Sequence, residues 1–318
     1  MKERLFYIDA LRAFAMLTVI IGHISLYLLY KGGYEIASEN SYYLYFVNSF
    51  YMPLFVFLSG LVTNMKSFKV QERLKILIPF LIIGLIYSYM EGSNAIDFFN
   101  NKMKNGYWFL LVIVYFFIAL WIIRISRINI LLGFFAFELI FWGIYNFSQD
   151  FSQNVLCITQ AIYLWPFFIL GVICKKHNII NRLEDYPYLA IIGLITYILC
   201  YIYQPPLDGW IMPLAIIVFW VLGFRFVEKK LSSYNSIVKT KTKKLFSLIG
   251  QSTIQIYTLH YFFLYFINLT CIGEVIISND LHWVELFASP VLSILIAVGC
   301  VGIANVLYKL KLGGIFGR

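Results

Sequence analysis

Charge is scarce in this chain: of 318 residues only 13% are Asp, Glu, Lys or Arg, 61% are hydrophobic, and the mean hydropathy is +0.79. A soluble domain of that length does not keep such a balance in water, which argues against any water-soluble fold. Several motifs are missing as well. The sequence has no P-loop, no G-x-G-x-x-G at a strand-helix junction, no H-E-x-x-H and no C-x-x-C. Those absences disfavour a nucleotide-hydrolysing engine, a dinucleotide enzyme and a zinc site. The five cysteines, Cys157, Cys174, Cys200, Cys271 and Cys300, are odd in number and scattered, mostly within or beside apolar runs. They read as small core or lipid-facing residues, not as disulfides or metal ligands. No Pro-rich run, long linker or soluble appendage breaks the pattern, so one membrane domain over residues 1–318 is the economical expectation.

What the chain has in abundance is long apolar runs. Ten candidate spans follow one another, each near the length that crosses ~30 Å of hydrocarbon: Phe6 to Leu29, Tyr43 to Val62, Leu74 to Tyr89, Tyr107 to Ile123, Ile128 to Tyr145, Cys157 to Cys174, Tyr188 to Tyr203, Trp210 to Phe226, Leu245 to Leu269 and Trp283 to Leu307. The predicted fold class is an all-α, polytopic bundle of about ten transmembrane helices. The first run is too long for a signal-peptide core and has no small-x-small cleavage site after it, so it is expected to stay in the mature protein.

Basic residues set the expected orientation. With the N-terminus inside, 21 of the 25 Lys and Arg fall on one side of the membrane, leaving Lys31, Lys102 and Lys104 opposite and Arg12 within a span. Both termini are then cytoplasmic. The same topology explains the net charge of +9, so nucleic acid is not an expected partner. Topology and attraction to anionic lipid also account for the basic loop Glu228 to Lys244.

Against this apolar background a few polar residues stand out. Arg12 and His23 lie eleven steps apart in IDALRAFAMLTVIIGHIS, which on an α-helix is three turns plus about 20°, so they share a face. A charged Arg near mid-membrane costs at least ~2.5 kcal/mol, and such residues usually face a bundle interior, a cavity or a substrate path. A rise of ~1.5 Å per residue places Arg12 roughly 9 Å and His23 roughly 26 Å from the start of the span. A desolvated neutral imidazole there can accept a proton from a hydroxyl. Asp9 precedes Arg12 by three residues and can orient or neutralise it; an acid in the first helical turn is equally explained by the helix dipole.

Other positions are weaker. Pro53 in FYMPLFVFLSG sits near a helix start or kink, and Ser59 and Gly60 permit close helix packing. Arg73 and Lys75 lie just before the third span and can hold phosphates, although positive-inside placement also explains them. Glu138 and His260 are expensive within the fifth and ninth spans, more readily read as structural hydrogen-bonding groups than as catalysts, and sequence assigns neither a partner. Trp108 reads as an interfacial anchor.

Taken in order, IDALRAFAMLTVIIGHIS, FYMPLFVFLSG, RLKILIPF, GYWFLL and IGQSTIQIYTLH resemble the acyltransferase-3 family of bacterial integral-membrane acyltransferases, over essentially the whole chain. The resemblance implies a ten-helix fold in the bacterial cytoplasmic (inner) membrane. It implies transfer of an acyl group, commonly acetyl from acetyl-CoA, to an acceptor that is often a sugar hydroxyl of an exported or lipid-linked glycan. It also implies that His23 is the essential histidine, Arg12 its paired arginine, and Arg73 part of the basic region associated with the acyl donor. The family's frequent His is Tyr51 here, and its Arg-x-x-Arg pattern is not cleanly present around Arg73 and Lys75.

Position and resemblance together lead to one expected mechanism, O-acetyl transfer with acetyl-CoA as donor and no permanently bound cofactor. His23 deprotonates the acceptor hydroxyl, which attacks a thioester led in past Arg12; an acyl-imidazole on His23 is the competing route. A multi-spanning glycan or lipid transporter is the alternative function, and a non-enzymatic scaffold a third. No repeat in the sequence supports a transporter-like inverted architecture. The sequence specifies neither the acceptor sugar nor an oligomeric state.

Overall fold

The computed structural model describes residues 6–30, 34–205, 208–232 and 237–317. Lys2, Arg4, Lys31, Arg318 and the side chain of Lys239, all part of the charge balance above, lie outside the described residues, as do residues 233–236 of the basic loop. Among the described residues all regular structure is helical, and eight helices are long and apolar enough to cross a membrane, nine if one bent pair is a single span. The protein is a polytopic all-α membrane protein.

Helix α1, Phe6–His23, passes directly into a π-helical stretch, Ile24–Leu29. The second apolar segment comprises α2, Tyr42–Asn48, and α3, Tyr51–Leu61. After a short helix Val70–Leu74 come α4, Leu77–Met90, α5, Trp108–Ile125, α6, Ile130–Phe147, and α7, Ile158–Lys176. The chain continues with α8, Tyr188–Tyr203, α9, Asp208–Ser232, and α10, Ile237–Gln251. It ends with α11, Thr253–Phe266, α12, Thr270–Ser278, and α13, Trp283–Lys309. Helix α8 coincides with the seventh predicted span, but its 16 residues fall short of the ~20 that a straight crossing takes.

The predicted ninth span, Leu245 to Leu269, is corrected by the structure. Its first turns belong to α10, and the chain leaves helical geometry at Ser252, φ −104° and ψ 20°, before α11 starts at Thr253. Helix α11 stops at Phe266, and α12 leaves at 75° to it. Asn268 Oδ1 accepts the Thr270 N–H at 3.0 Å and the Thr270 hydroxyl at 2.7 Å, a local side-chain turn immediately before the new helix. Apolar composition alone does not reveal such breaks, because the residues on both sides are equally apolar.

The chain divides into two compact units, each drawn from two stretches. The first comprises Met1–Leu58 and Asn178–Ile303. Within it α1 is buried on nearly every face, as a helix apolar all round should be, and it packs on α2, α9, α10 and α11. Gly250 in the motif IGQST is forced by that packing, since a Cβ there would collide with the Asp9 carbonyl oxygen. On α9, Arg225 bridges Glu184 and Glu228, each at 3.1 Å, and covers the Tyr7 ring at 4.9 Å.

The second unit comprises Ser59–His177 and Ala304–Arg318. Its core is aromatic: Trp165 packs on Phe116 and Phe168 with ring centroids 5.3 and 5.9 Å away. The Trp165 indole N–H donates to the Phe134 carbonyl at 3.1 Å. Gly60 touches the Phe168 backbone so closely that no side chain fits, which realises the close packing expected of that position. Lys104, placed above in a loop on the side opposite most basic residues, is fully buried. Its ammonium donates to the carbonyls of Phe99 at 2.7 Å, Asn101 at 2.8 Å and Asn154, and burial pulls its pKa below the usual lysine value.

Candidate active site

Helix α1 is continuous from Phe6 to His23, so the predicted common face of Arg12 and His23 is retained, with about 16 Å of axial rise between them. His23 is the last α-helical residue before the π-helical stretch. Wide turns of that kind are rare and gather at functional sites because they re-aim the side chains beside them.

The partner that sequence could not assign to His260 is His23. His23 Nδ1 lies 2.9 Å from His260 Nε2, with the ring planes 3° apart. His260 is fully buried on α11. Its Nδ1 is 2.8 Å from the Tyr257 carbonyl and 3.1 Å from that of Ile256. Carbonyl oxygens only accept, so His260 Nδ1 carries a hydrogen. In the neutral ring Nε2 is then an acceptor, and His23 Nδ1–H donates to it. The chain of hydrogen bonds thereby leaves the lone pair of neutral His23 on Nε2. That nitrogen faces the Tyr261 hydroxyl at 3.5 Å, the outer limit of a hydrogen bond.

Two tyrosines flank the imidazole. Tyr261 is buried with its ring centroid 5.0 Å from that of His23, whereas Tyr27, one turn past His23 and 46% exposed, stands edge-on at 5.7 Å. His23 itself is partly exposed, with Nδ1 held by the buried His260 and Nε2 facing the Tyr261 hydroxyl. This arrangement can take a proton from a hydroxyl, hold it with the resulting imidazolium donating from both nitrogens, and return it.

The remaining predicted residues fall into place separately. Asp9 is buried and its Oδ2 accepts from Ser247 Oγ at 3.2 Å and Gln251 Nε2 at 3.1 Å, which fastens α1 to α10. Arg73 and Lys75 stand just before α4 in the second unit, Arg73 over the Phe117 ring at 5.5 Å and Lys75 exposed. Ser59 contributes its carbonyl to the Thr63 hydroxyl at 2.7 Å. Glu138, on α6 in the second unit, has its Oε2 buried without a hydrogen-bond partner. All five cysteines are free. Among the described residues no group of three or more His, Cys, Asp or Glu could hold a metal ion.

Sequence reasoning missed Tyr261 and the His23–His260 pair. A signal for the pair was present. Only four histidines occur in the chain, and two of them lie inside apolar spans, where pairing them satisfies both at once.

Comparison with known proteins agrees with this architecture. The acyltransferase-3 family model, described as an acyltransferase domain, matches residues 5–309. A "Probable poly-beta-1,6-N-acetyl-D-glucosamine export protein" of Staphylococcus aureus strain Mu50 is 25% identical over 286 residues, which cover 80% of this chain and 78% of that protein. The protein of the same name in strain MW2 is 24% identical over the same shares. No solved structure matches the chain. With nearly its full length matched, the chain belongs to the acyltransferase-3 family.

Proposed function

We propose that this protein is a membrane O-acyltransferase that moves an acyl group, acetyl in the simplest case, from acyl-CoA to a hydroxyl of an exported or lipid-linked glycan. The observation that carries the proposal is the His23–His260 pair, whose hydrogen bonds direct a lone pair to Nε2 of the partly exposed His23. Membership of the family supports acyl transfer as the reaction class. In this proposal the protein resides in the bacterial inner membrane with both termini cytoplasmic, takes acetyl from acetyl-CoA and delivers it to a glycan.

The reaction balances on these residues. His23 Nε2 removes the proton from the acceptor hydroxyl as its oxygen attacks the thioester carbonyl, and the tetrahedral intermediate collapses by breaking the carbon–sulfur bond. The thiolate takes the proton back from His23 Nε2–H, leaving ester and free thiol. His260 accepts from His23 Nδ1 throughout and is a positioning residue. Arg12, nearer the N-terminal end of α1, is the cation beside the donor's path. In the competing route the acyl group rests on His23 Nε2 before the alcohol attacks.

The test compares surface glycans of wild-type cells and of cells whose only copy is His23→Ala, by mass spectrometry and NMR. Loss of an acyl mass from one sugar position, with the variant present in membranes, is the expected result. Unchanged acylation overturns the assignment. The relatives' name favours a second reading, export of a β-1,6-linked N-acetylglucosamine polymer. That reading expects gene deletion to retain polymer inside the cell, while the enzyme reading expects export of a polymer that lacks the acyl group.

A further inference from the structure

Glu285 takes no part in the chemistry above, yet it is fully buried near the start of α13. Its Oε1 accepts from Ser25 Oγ at 2.5 Å and from Ser41 Oγ at 2.6 Å, and the two hydroxyl oxygens are 3.1 Å apart. Ser25 belongs to the π-helical stretch after His23, and Ser41 caps α2 by accepting the Leu44 N–H at 3.1 Å. The other carboxylate oxygen, Oε2, is buried with no hydrogen-bond partner. The Ser289 hydroxyl, one turn along α13 and fully buried, is likewise without a partner. Residues four apart on a helix share a face, so the two orphaned groups lie on one side of α13.

Two hydroxyls converging on one oxygen at these lengths are characteristic of an ionised carboxylate. Glu285 nevertheless makes no ion pair among the described residues. A buried carboxylate with half of its accepting capacity vacant is strongly disfavoured unless something compensates it. Water would fill the hydrogen bonds and leave the charge. A single positive charge among hard oxygen donors corrects both defects, and one carboxylate balances one charge, not two.

We propose that Glu285, Ser25, Ser41 and Ser289 form a buried site for one monovalent cation of about sodium size. Both serine hydroxyls that donate to Glu285 keep a lone pair for the ion, and Oε2 and Ser289 Oγ supply the oxygens now without partners. The ion braces the stretch after His23 to α2 and α13, all within the first unit. The site does not depend on the acyl-transfer reading.

The test is thermal unfolding of the purified full-length protein in detergent, with NaCl exchanged for KCl or choline chloride at constant ionic strength. Ligand that binds only the folded state raises the midpoint in a saturable way. A saturable rise with sodium is expected, smaller with potassium and absent with choline. Glu285→Gln should abolish the response, and Ser289→Ala should move half-saturation to several-fold higher sodium. Identical wild-type midpoints in sodium and choline overturn the proposal, as does a Glu285→Gln protein that responds like wild type. Should Glu285→Gln fail to fold, Ser289→Ala decides: unchanged half-saturation overturns the site.

Discussion

His260 in the first unit and Lys104 in the second are both nitrogen bases buried completely, yet they use their valences in opposite ways. The Lys104 ammonium has three N–H groups and three carbonyls to receive them. Nothing is left over, and the residue is a staple between two loops. His260 has one donor and one acceptor, and spends them in sequence, the donor on its own helix and the acceptor on His23. The last base in that line keeps a lone pair. Burial cost marks both places equally; a lone pair met only by the Tyr261 hydroxyl at 3.5 Å distinguishes a site that can do chemistry from one that only holds the fold.

The sharpest way to break the comparison is at His23. Its replacement by Ala should lower acyl transfer by about 10³-fold or more if the residue is base or nucleophile, with little change in the amount of folded protein. Transfer is to be measured with purified enzyme and radiolabelled acetyl-CoA.

His260 comes next. His260→Ala removes the acceptor that fixes the His23 tautomer and should lower kcat by about 10- to 100-fold, with KM for the donor little changed. Gln at this position can present an acceptor to His23 Nδ1, so His260→Gln should recover part of the loss. Equal loss in both variants would reduce His260 to a packing residue.

Lys104→Met should behave in the reverse manner. It strips three charge-assisted bonds; the Asn101 carbonyl keeps the Lys104 backbone N–H at 3.0 Å, and each carbonyl left unpaired costs about 1–3 kcal/mol before relaxation. A fall of several degrees in the unfolding midpoint is expected, with turnover per folded molecule within about twofold of wild type. A large turnover defect at unchanged stability would erase the distinction between the two regions.

The smallest effect concerns Glu184, outside the membrane-spanning helices. Burial opposes its ionisation, but hydrogen bonds and charge from Arg225 and Lys229 outweigh it and hold its pKa below the usual glutamate value. A depressed native pKa contributes stability that is complete above the unfolded value of about 4.3 and lost as pH falls through the native one. The midpoint difference between wild type and Glu184→Gln should therefore shrink as pH falls from about 6 to 4. It should be small throughout, because a partly exposed pair is screened.

Much of the fold was legible because lipid imposes length and apolarity on every crossing. The boundaries of α1, α8 and α13 follow the apolar runs within a few residues. The 75° break between α11 and α12 was not legible, since it falls at a short Asn268–Thr270 turn inside an apolar segment. At the site, the common face of Arg12 and His23 could be read from periodicity alone, and the role of Gly60 from its composition. The His23–His260 bond spans 237 positions, a tertiary fact that no local pattern encodes. Glu285 sits three residues into the last apolar run and was not singled out, and its serine partners lie in other segments.

The most direct test of the His23 assignment is transfer by purified protein in lipid nanodiscs from [¹⁴C]acetyl-CoA to an acceptor glycan, wild type against His23→Ala at matched folded protein. Labelled glycan from wild type and none above background from the variant is the predicted result. Equal labelling by the two proteins would contradict it.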